Sequence, residues 1–484
     1  MIENGTQAPQ TPPTAALIDA LRALLGAKGF TQDPEIMAPW LSDWRGTVHG
    51  AAAAMLSPAN TAEVQEIVRL CAAHGAKLTI QGGNSGMVAG ATPDDSGNAI
   101  LLSLRRMNTI RHIDCDAQTL SADAGVILAN AHDAATAKGL RFPLTLGGKG
   151  SATLGGLVST NAGGTQVLRH GTMRALTAGI EIVLADGSLL NLMAPLAKDN
   201  QGPDPKHMFI GAEGALGIVT AVCLRLVPDI TQRAVGWAAV ASPDAALELL
   251  RVMTAQTGSA LEGFELIPDS ALQAVIKHIP GSRAPISADT PWHILVELVA
   301  DADGQDPAAK LAAAMEAALS VCLIADATIA GSEAQAEAFW RIRDSISEAE
   351  RARGPALQHD ISVPVAQMPD YINAVPIQIS AAFPGATCLA FGHLGDGNVH
   401  FHVRPPAACD AALWIADHGD AASRLVFEAA VKMGGSISAE HGIGRVKRKL
   451  LGEIGDPARN AVLKAIKHGI DPANMFNPGV LVPD

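Results

Sequence analysis

Residues 60–86, NTAEVQEIVRLCAAHGAKLTIQGGNSG, decide the fold. An N-cap asparagine, apolar residues at helical spacing and a glycine stop predict an amphipathic helix over residues 60–75. A short strand over residues 77–80 and a glycine loop over residues 81–86 follow, which is the order of a phosphate-binding loop. Turn formers and a new apolar strand come next, where a dinucleotide fold of the Rossmann type would begin a helix. The Rossmann fold is therefore excluded.

Length and composition narrow the class of protein. The chain has 484 residues, 48% of them hydrophobic, which exceeds what one core usually supports, so we expect two or three domains. A net charge of -13 without a block of like charges argues against nucleic acid as a partner. No apolar stretch reaches the length of a transmembrane segment, and the first residues lack the apolar core of a signal peptide. We expect a cytoplasmic protein, at most peripheral to the inner membrane, with reduced cysteines and no iron–sulfur cluster.

The pattern of elements divides the chain into a tail and three segments. After a mobile tail, residues 1–14, short apolar runs and turns predict a strand-rich α+β domain over residues 15–230. Longer helical patterns alternate with strands over residues 231–410, which predicts an antiparallel sheet backed by helices. Residues 411–484 are predicted to be mainly helical and to return to the first domain.

Two further glycine clusters accompany the first. They are LGGKGSATLGG at residues 146–156, continuing to NAGG at 161–164, and GAEGALGI at 211–218. Glycine lets backbone N–H groups approach an anion closely, so converging loops can bind a pyrophosphate without basic side chains. Each cluster taken alone also fits a tight turn between strands.

Taken together and in this order, the three clusters resemble the FAD-binding domain of the vanillyl-alcohol oxidase and p-cresol methylhydroxylase (PCMH) family. The resemblance implies an α+β fold, with a two-subdomain FAD-binding domain of the PCMH type and a substrate or cap domain. It also implies non-covalent FAD, since no histidine or cysteine lies between residues 81 and 90. The implied FAD contacts are Gly82, Gly83, Asn84, Ser85 and Gly86 at the pyrophosphate, Gly148, Ser151, Thr153, Gly156 and Asn161 at the flavin, and Ile218 at the adenosine.

The stretch FGHLGDGNVHFH, residues 391–402, predicts a strand, a turn and a second strand. Such a hairpin can bring His393 and His400 face to face, where neutral imidazoles can bind a divalent ion. His402 shares a strand face with His400 and is a competing ligand or a neighbouring polar group. Histidines satisfied by hydrogen bonds in a core remain the alternative.

A second stretch, SAEHGIG at residues 438–444, places a carboxylate beside an imidazole. Glu440 would complete two histidines to a 2-His-1-carboxylate set with open coordination positions. Neighbouring side chains point in different directions, so His441 is left to act as a base near neutral pH.

At GHxGDGNxH and EHGIG the resemblance narrows to the D-lactate and D-2-hydroxyglutarate dehydrogenase branch of that family. It implies metal ligation by His393, His400 and Glu440, and proton abstraction by His441. It also implies that Asn477, in FNPG, reaches back to the flavin. One departure is valine at position 480, where many relatives have lysine; we interpret it as a lost contact and not as a lost activity.

The position of Arg343 in FWRIRD matches the arginine that grips the substrate carboxylate in this branch, although a helix-surface arginine paired with Asp344 or Glu348 is the alternative. For a distal carboxylate, Ser347 keeps the expected hydroxyl, but Gln358 stands where relatives have lysine. We therefore keep D-2-hydroxyglutarate only slightly ahead of D-lactate or a longer aliphatic hydroxy acid.

The chemistry is coherent for a small D-2-hydroxy acid as substrate. A metal such as zinc or manganese lowers the hydroxyl pKa, an imidazole takes the proton, and a flavin takes the hydride. Without a cluster on this chain, we expect electrons to pass to an electron-transfer flavoprotein or a quinone. Two alternative functions remain, a metal-dependent hydrolase and a flavin subunit of a glycolate-oxidase-like complex. The sequence does not define the oligomeric state, and a homodimer is one option.

Overall fold

The structure is a computed structural model that describes residues 12–287, 289–302 and 305–483. The chain divides into two compact units, the first comprising Met1–Gly164, His170–Asp229 and Glu440–Asp484, and the second comprising Thr165–Arg169 and Ile230–Ala439. Of the predicted tail, residues 1–11 lie outside the described residues, and Thr14 is the N-cap of the first helix.

The helices and strands follow in chain order. Up to residue 229 the helices are α1 Ala15–Gly29, α2 Pro34–Met37, α3 Thr61–His74, α4 Leu128–Thr136, α5 Leu154–Thr160, α6 Val167–His170, α7 Met173–Leu176 and α8 Lys206–Phe209. The strands of this part are β1 Phe30–Thr31, β2 Ala54–Leu56, β3 Leu78–Gln81, β4 Ile100–Ser103, β5 Ile110–Asp114, β6 Thr119–Asp123, β7 Leu140–Arg141, β8 Thr177–Val183, β9 Leu189–Leu192, β10 Ile218–Arg225 and β11 Val227–Pro228.

The later part of the chain contains longer elements. Its strands are β12 Gln232–Val240, β13 Leu261–Pro268, β14 Trp292–Ala300, β15 Asp326–Ile329, β16 Leu357–Ser362, β17 Thr387–His393 and β18 Asn398–Arg404. Its helices are α9 Pro243–Thr257, α10 Asp269–His278, α11 Pro307–Ser320, α12 Glu333–Asp344, α13 Ile346–Ala352, α14 Met368–Ala382, α15 Ala411–Lys432, α16 Arg448–Ile454 and α17 Pro457–Ile470. No described helix combines the length and the apolar character that crossing a bilayer requires.

Helix α3 confirms the prediction made from the opening stretch. The side chain of Asn60 accepts the N–H of Glu63 over 2.9 Å and so caps the first turn. Val64, Ile67, Val68 and Cys71 are buried at helical spacing, and Gly75 ends the helix with a left-handed φ of 65°. The amphipathic pattern thus places one face of the helix in the core of the first unit.

Two main sheets share the core of the first unit. In the four-stranded sheet β1-β2-β4-β3, the last three strands are parallel, so β3 ends where the first glycine loop begins. The five-stranded sheet β5-β6-β10-β8-β9 is antiparallel. Leu78 and Leu102 of the first sheet and Ile180 and Val222 of the second belong to one buried cluster. The C-terminal segment reaches this core too, since Leu78 pairs with Phe476.

The second unit is built on one antiparallel sheet of seven strands, in the order β15-β12-β14-β13-β17-β18-β16. Because side chains alternate along a strand, each face of the sheet collects a different set of residues. One face packs on α10, α12 and α13, and it carries most of the charged groups described below. The opposite face packs on α9, α11, α14 and α15. The predicted α+β fold, with an antiparallel sheet backed by helices, is confirmed.

Helix α15 lies with the second unit, although residues 411–484 were predicted as one segment that returns to the first domain. Gly419 of this helix lies against Leu357 of β16, because a Cβ added there would be 3.4 Å from the leucine side chain. Val426 accepts a hydrogen bond of 3.0 Å from the hydroxyl of Tyr371 in α14. These contacts hold α15 on the sheet of the second unit, and the chain passes to the first unit at Glu440.

Glu297 of β14 is a largely buried carboxyl group beside Arg233. Its carboxylate lies 3.3 Å from a guanidinium nitrogen of Arg233 in β12, and its side chain is 13% exposed. Burial raises the pKa of Glu297 to about 7; the Arg233 charge opposes this rise and the Glu262 carboxylate reinforces it. Between its ordinary value of 4.5 and about 7, the folded protein therefore holds a proton at Glu297 that the unfolded chain releases.

Replacing Glu297 by glutamine is expected to flatten the pH dependence of stability. A raised folded pKa means that stability from this proton is complete below pH 4.5 and is lost as pH rises to about 7, at no more than about 1.4 kcal/mol per pH unit. Urea midpoints measured across this window should fall less steeply for Glu297→Gln than for the natural protein. Glu248→Gln, at an exposed position on α9, is the control, and equal slopes in all three proteins would contradict the assignment.

Candidate functional site

The first and second glycine loops of the first unit pack so closely that no side chain fits between them. A Cβ atom added to Gly83 would lie 1.8 Å from the carbonyl oxygen of Ser151, and one added to Gly82 would lie 2.3 Å from the Thr153 hydroxyl. At Gly147, by contrast, an added Cβ would meet nothing within 4 Å. Glycine at positions 82 and 83 is therefore required by the contact between the loops.

The first loop presents backbone donors that the protein itself does not use. Within the described ranges, no N–H group of residues 82–86 donates to a backbone carbonyl, and the loop is partly exposed. Asn84 has a left-handed φ of 52°, and its amide donates to the carbonyl of Ser42 over 2.8 Å. Ser85 lies beside Gly148 of the second loop. Consecutive N–H groups of this kind fit the pyrophosphate of FAD.

The second loop runs into α5, and side chains fix both ends of this short helix. Thr153 is its N-cap, and the threonine hydroxyl accepts the N–H of Gly156. Asn161 ends the helix with a left-handed φ of 50°. The Asn161 Oδ1 accepts the N–H of Arg174 over 2.9 Å and the hydroxyl of Thr172 over 3.0 Å. The residues predicted to contact the flavin are thus held in one short, capped stretch.

Asn477 links β3, the strand before the first glycine loop, to the third glycine loop. Its Oδ1 accepts the N–H of Ile80 over 2.7 Å, and its Nδ2 donates to the carbonyl of Glu213 over 2.6 Å. The residue is 2% exposed and has a left-handed φ of 41°. Ile218, which follows the third loop, is the first residue of β10 and is completely buried. One set of hydrogen bonds in the first unit therefore joins the C-terminal segment to β3 and to the third glycine loop.

Glu213 anchors the segment that follows Glu440 and His441, and sequence reasoning missed it. Its two carboxylate oxygens accept the N–H groups of Ile443 over 2.8 Å and Gly444 over 2.7 Å. Burial raises the pKa of Glu213, although the two hydrogen bonds from the backbone oppose the shift. The signal in the sequence was the acidic residue inside the cluster GAEGALGI.

Glu440 and His441 stand at the start of this anchored segment. Both side chains are half-buried, and a carboxylate oxygen of Glu440 lies within 4.8 Å of a ring nitrogen of His441. Gly442 follows with a left-handed φ of 83°, and a Cβ there would lie 2.9 Å from the Glu213 carboxylate. Glycine is therefore needed for the segment to approach Glu213 this closely.

In the second unit, β17 and β18 form the hairpin predicted from FGHLGDGNVHFH. Phe391 pairs with His400, and His393 is the last residue of β17. The rings of His393 and His400 have centroids 5.6 Å apart, and one ring nitrogen of each lies within 4.8 Å of the other. The hairpin therefore brings the two histidines together, and their role as metal ligands stays a prediction.

Glu265 of β13 contacts both His393 and Arg343, and sequence reasoning missed this residue as well. Its Oε1 lies 2.5 Å from Nδ1 of His393, and its Oε2 accepts from Nε of Arg343 over 2.9 Å. Burial opposes the ionisation of Glu265, which is 1% exposed, but the Arg343 charge and the hydrogen bonds from His393 and Arg343 outweigh burial and hold its pKa well below the ordinary value. The signal was an acidic residue inside the apolar run FELIP.

The contacts of His393 define which of its nitrogens carries the proton. A guanidinium nitrogen of Arg343 lies 3.1 Å from Nε2 of His393. Because a guanidinium can only donate, Nε2 is the acceptor, and the ring proton is assigned to Nδ1, which faces Glu265. A neutral imidazole with its lone pair on Nε2 and a carboxylate behind Nδ1 is the form that binds divalent metals. His393 therefore has the tautomer of a metal ligand, and a metal at Nε2 would replace the Arg343 donor.

Asp360 lies beside the second histidine. It is the cross-strand partner of His400 on β16, and its carboxylate is 4.0 Å from Nδ1 of that ring. The Asn398 amide donates to the same carboxylate over 2.9 Å. At 4.0 Å the interaction with His400 is electrostatic, since it exceeds hydrogen-bond length.

His402, the competing ligand, belongs to a different ionic group. Its Nδ1 lies 3.6 Å from the Glu350 carboxylate of α13. Burial opposes the ionisation of Glu350, but His402 and nearby arginines lower its pKa to about 2. The Phe391 ring contacts both imidazoles, with centroids 5.1 Å from His400 and 5.4 Å from His402.

The residues predicted to bind substrate occupy different settings in the second unit. Arg343 is not a helix-surface arginine, because its side chain is 13% exposed and bound to Glu265. Helix α12 ends at Asp344, so Ser347 lies in the next helix, α13, and is exposed. Gln358 is exposed on β16 and opposes His402 across the strands. Of the three, the structure brings Arg343 to the candidate metal ligand His393.

Comparison with protein families identifies the class. Residues 52–193 match the FAD binding domain, and residues 231–481 match the C-terminal domain of FAD linked oxidases. The chain belongs to the FAD-linked oxidase family. This confirms the resemblance inferred from the sequence and FAD as the cofactor.

The relatives with known names point to one kind of enzyme. A mitochondrial D-2-hydroxyglutarate dehydrogenase of Arabidopsis thaliana is 33% identical over 96% of this chain and 81% of its own length. A D-2-hydroxyglutarate dehydrogenase of Xanthomonas citri is 34% identical over 96% of both chains. A solved structure of p-cresol methylhydroxylase with substrate bound superposes with a TM-score of 0.70 at 14% identity, over 97% of this chain and 96% of that chain. The latter likeness supports the predicted PCMH-type fold.

Replacing Gly83 by alanine is expected to abolish FAD retention. The new methyl group would lie 1.8 Å from the backbone oxygen of Ser151, so the two loops must separate. The ratio of visible flavin absorbance to protein absorbance, measured after purification, should drop to near zero. Gly469→Ala, at a position of α17 where an added Cβ meets nothing within 4 Å, should keep its flavin. A Gly83→Ala protein that is as yellow as the natural one would refute the proposed packing of the loops.

Proposed function

We propose that this protein is an FAD-dependent dehydrogenase that oxidises D-2-hydroxyglutarate to 2-oxoglutarate with the help of a divalent metal. One observation carries the proposal: a guanidinium nitrogen of Arg343 lies 3.1 Å from Nε2 of His393. A cation suited to a carboxylate thus lies beside an imidazole suited to a metal, which is the pairing that a 2-hydroxy acid requires. The D-2-hydroxyglutarate dehydrogenases among the relatives support the same activity.

Each protein group has a distinct task in this reaction. Arg343 binds the substrate carboxylate through paired N–H donors, and Glu265 holds that guanidinium in place. His441 takes the hydroxyl proton onto a ring nitrogen. His393, His400 and Glu440 would hold a divalent cation, which would supply Lewis-acid activation of the substrate hydroxyl. FAD would supply the hydride acceptor for C2, so one proton and one hydride would account for the oxidation.

FAD would be held by the glycine loops of the first unit. The unused N–H groups of residues 82–86 suit the pyrophosphate, and the capped stretch from Gly148 to Asn161 suits the flavin. Ile218 is proposed at the adenosine and Asn477 at the flavin side. Asn477 already bonds to backbone at both ends of its amide, so its contribution is to hold the loops together as well.

The identity of the D-2-hydroxy acid that serves as substrate is a separate part of the proposal. A distal carboxylate would be met by Ser347 and Gln358, both exposed and both neutral. A hydrogen bond from a neutral donor is roughly half as strong as a charge-assisted one. Ser347 and Gln358 would therefore bind a distal carboxylate less tightly than a lysine at position 358 would. D-Lactate and longer aliphatic D-2-hydroxy acids are therefore the second candidates. An electron-transfer flavoprotein or a quinone is the proposed acceptor.

Replacing His441 by asparagine is expected to lower kcat for D-2-hydroxyglutarate about 100- to 10,000-fold, because the hydroxyl proton loses its acceptor. Flavin content should not change, since the loops that hold FAD are untouched. The measurement is steady-state turnover with an artificial acceptor on D-2-hydroxyglutarate, D-lactate and their L enantiomers, with and without a chelator. His468→Asn, the same change on the exposed face of α17, is the control.

Three outcomes would count against the proposal. Undiminished turnover by His441→Asn would remove the imidazole as the base. Full activity after exhaustive chelation would remove the metal. A preference for D-lactate over D-2-hydroxyglutarate would replace the proposed substrate and leave the reaction class intact.

A further inference from the structure

Glu265 is a charged residue where the fold would ordinarily place an apolar one. It lies inside β13, flanked in sequence by Phe264 and Leu266, which are buried on the opposite face of the sheet. In the seven-stranded sheet, β13 lies between β14 and β17. The side chain of Glu265 is 1% exposed and therefore has little access to water. An ionised carboxylate in such a place is stable only when donors satisfy its oxygens.

Two donors meet this carboxylate, and both come from residues with a proposed role in the reaction. Oε1 lies 2.5 Å from Nδ1 of His393, which is its cross-strand partner on β17. Oε2 accepts from Nε of Arg343, on α12, over 2.9 Å. Arg343 and His393 also contact each other over 3.1 Å. The three side chains form a closed triangle within the second unit.

We propose that Glu265 is a positioning residue that fixes the candidate metal ligand and the candidate carboxylate-binding arginine at once. The inference rests on the proposed function and deepens it. By accepting the proton of Nδ1, Glu265 keeps the lone pair of His393 on Nε2, which would bind a metal in place of the Arg343 donor that lies 3.1 Å from it. By accepting from Nε of Arg343, it restricts the orientations in which that guanidinium can meet a substrate carboxylate.

The side chain must be a carboxylate of this length for both tasks. Glutamine at position 265 could accept from the imidazole with its oxygen, but its NH₂ group would then face the N–H of Arg343. Aspartate would keep the charge but is one methylene shorter, so it could not reach both partners from the same strand position. Metal affinity and substrate affinity are therefore expected to fall together in Glu265→Gln, and Glu265→Asp is expected to recover one of them in part.

The same strand offers a matched control. Glu262 is also buried, at 5% exposure, and it forms an ion pair of 3.0 Å with Arg169. Glu262→Gln therefore removes the charge of a buried, arginine-bound carboxylate of β13 without touching the contacts of His393. Any loss shared by Glu262→Gln and Glu265→Gln reports on the stability of the sheet, and only the difference reports on positioning.

The test begins with metal binding to the FAD-loaded protein in the absence of substrate. Mn²⁺ is titrated into metal-stripped protein, and free Mn²⁺ is followed by electron paramagnetic resonance. The Kd for Mn²⁺ is expected to rise about 10- to 100-fold in Glu265→Gln and to stay within about twofold in Glu262→Gln. Thermal midpoints and flavin content are recorded for every variant, so that a misfolded protein is recognised.

Steady-state kinetics with saturating Mn²⁺ then test the second proposed task of Glu265, which is to hold Arg343 for the substrate carboxylate. KM for D-2-hydroxyglutarate is expected to rise at least about tenfold in Glu265→Gln, because Arg343 is no longer held, and a purely structural role would change KM equally in Glu262→Gln. Glu265→Asp is expected to fall between the natural protein and Glu265→Gln in at least one of the two measurements.

The outcomes distinguish this inference from the proposed function. If the natural protein binds Mn²⁺ and oxidises D-2-hydroxyglutarate but Glu265→Gln matches Glu262→Gln in Kd and KM, the positioning role is overturned and the function stands. If the natural protein oxidises no D-2-hydroxy acid while Glu265→Gln still binds Mn²⁺ more weakly, the function falls and the fixing of the metal ligand is supported. If the natural protein retains FAD but binds no divalent ion, the metal part of both proposals is overturned.

Discussion

A carboxylate removed from water must be met by donors, and this constraint organises the candidate site in each unit. In the second unit, the buried Glu265 carboxylate contacts His393 of β17 and Arg343 of α12, so the burial of one charge fixes two side chains. In the first unit, Glu213 holds two consecutive N–H groups after His441 in the same way. Loss of either carboxylate would leave the remaining donors buried without their partner, which is more damaging than losing an exposed ion pair.

The sequence predicted those features that depend on neighbours along the chain. The hairpin that joins His393 to His400 needed only apolar runs on either side of Gly-Asp-Gly-Asn, and the structure confirms it. Helix α3 and the strand before the first glycine loop followed from capping and spacing. Glu265 was not predicted, because its partner His393 lies 128 residues away and no local pattern encodes such a contact. The same holds for Glu213 and Ile443, which are 230 residues apart.

The glycine clusters show what a sequence motif can predict and what it cannot. Their order predicted an FAD-binding domain, and the family comparison confirms that assignment. The sequence could not separate Gly83, where an added methyl group would collide with the backbone of Ser151, from Gly147, where it would meet open space. Both glycines look alike in a motif, since the difference depends on how two loops pack. The sequence also predicted a boundary at residue 410. The packing of α15 against β16 of the second unit could not be predicted in the same way, since it depends on contacts between distant parts of the chain.

In the proposed reaction, electrons leave a D-2-hydroxy acid and arrive on FAD. The most direct measurement mixes the purified, FAD-loaded protein with D-2-hydroxyglutarate in the absence of oxygen and any acceptor, and follows the visible absorbance of the flavin. We expect the D enantiomer to bleach the flavin and the L enantiomer to leave it oxidised. A protein that holds FAD and divalent metal but whose flavin stays oxidised with every D-2-hydroxy acid would contradict the central claim.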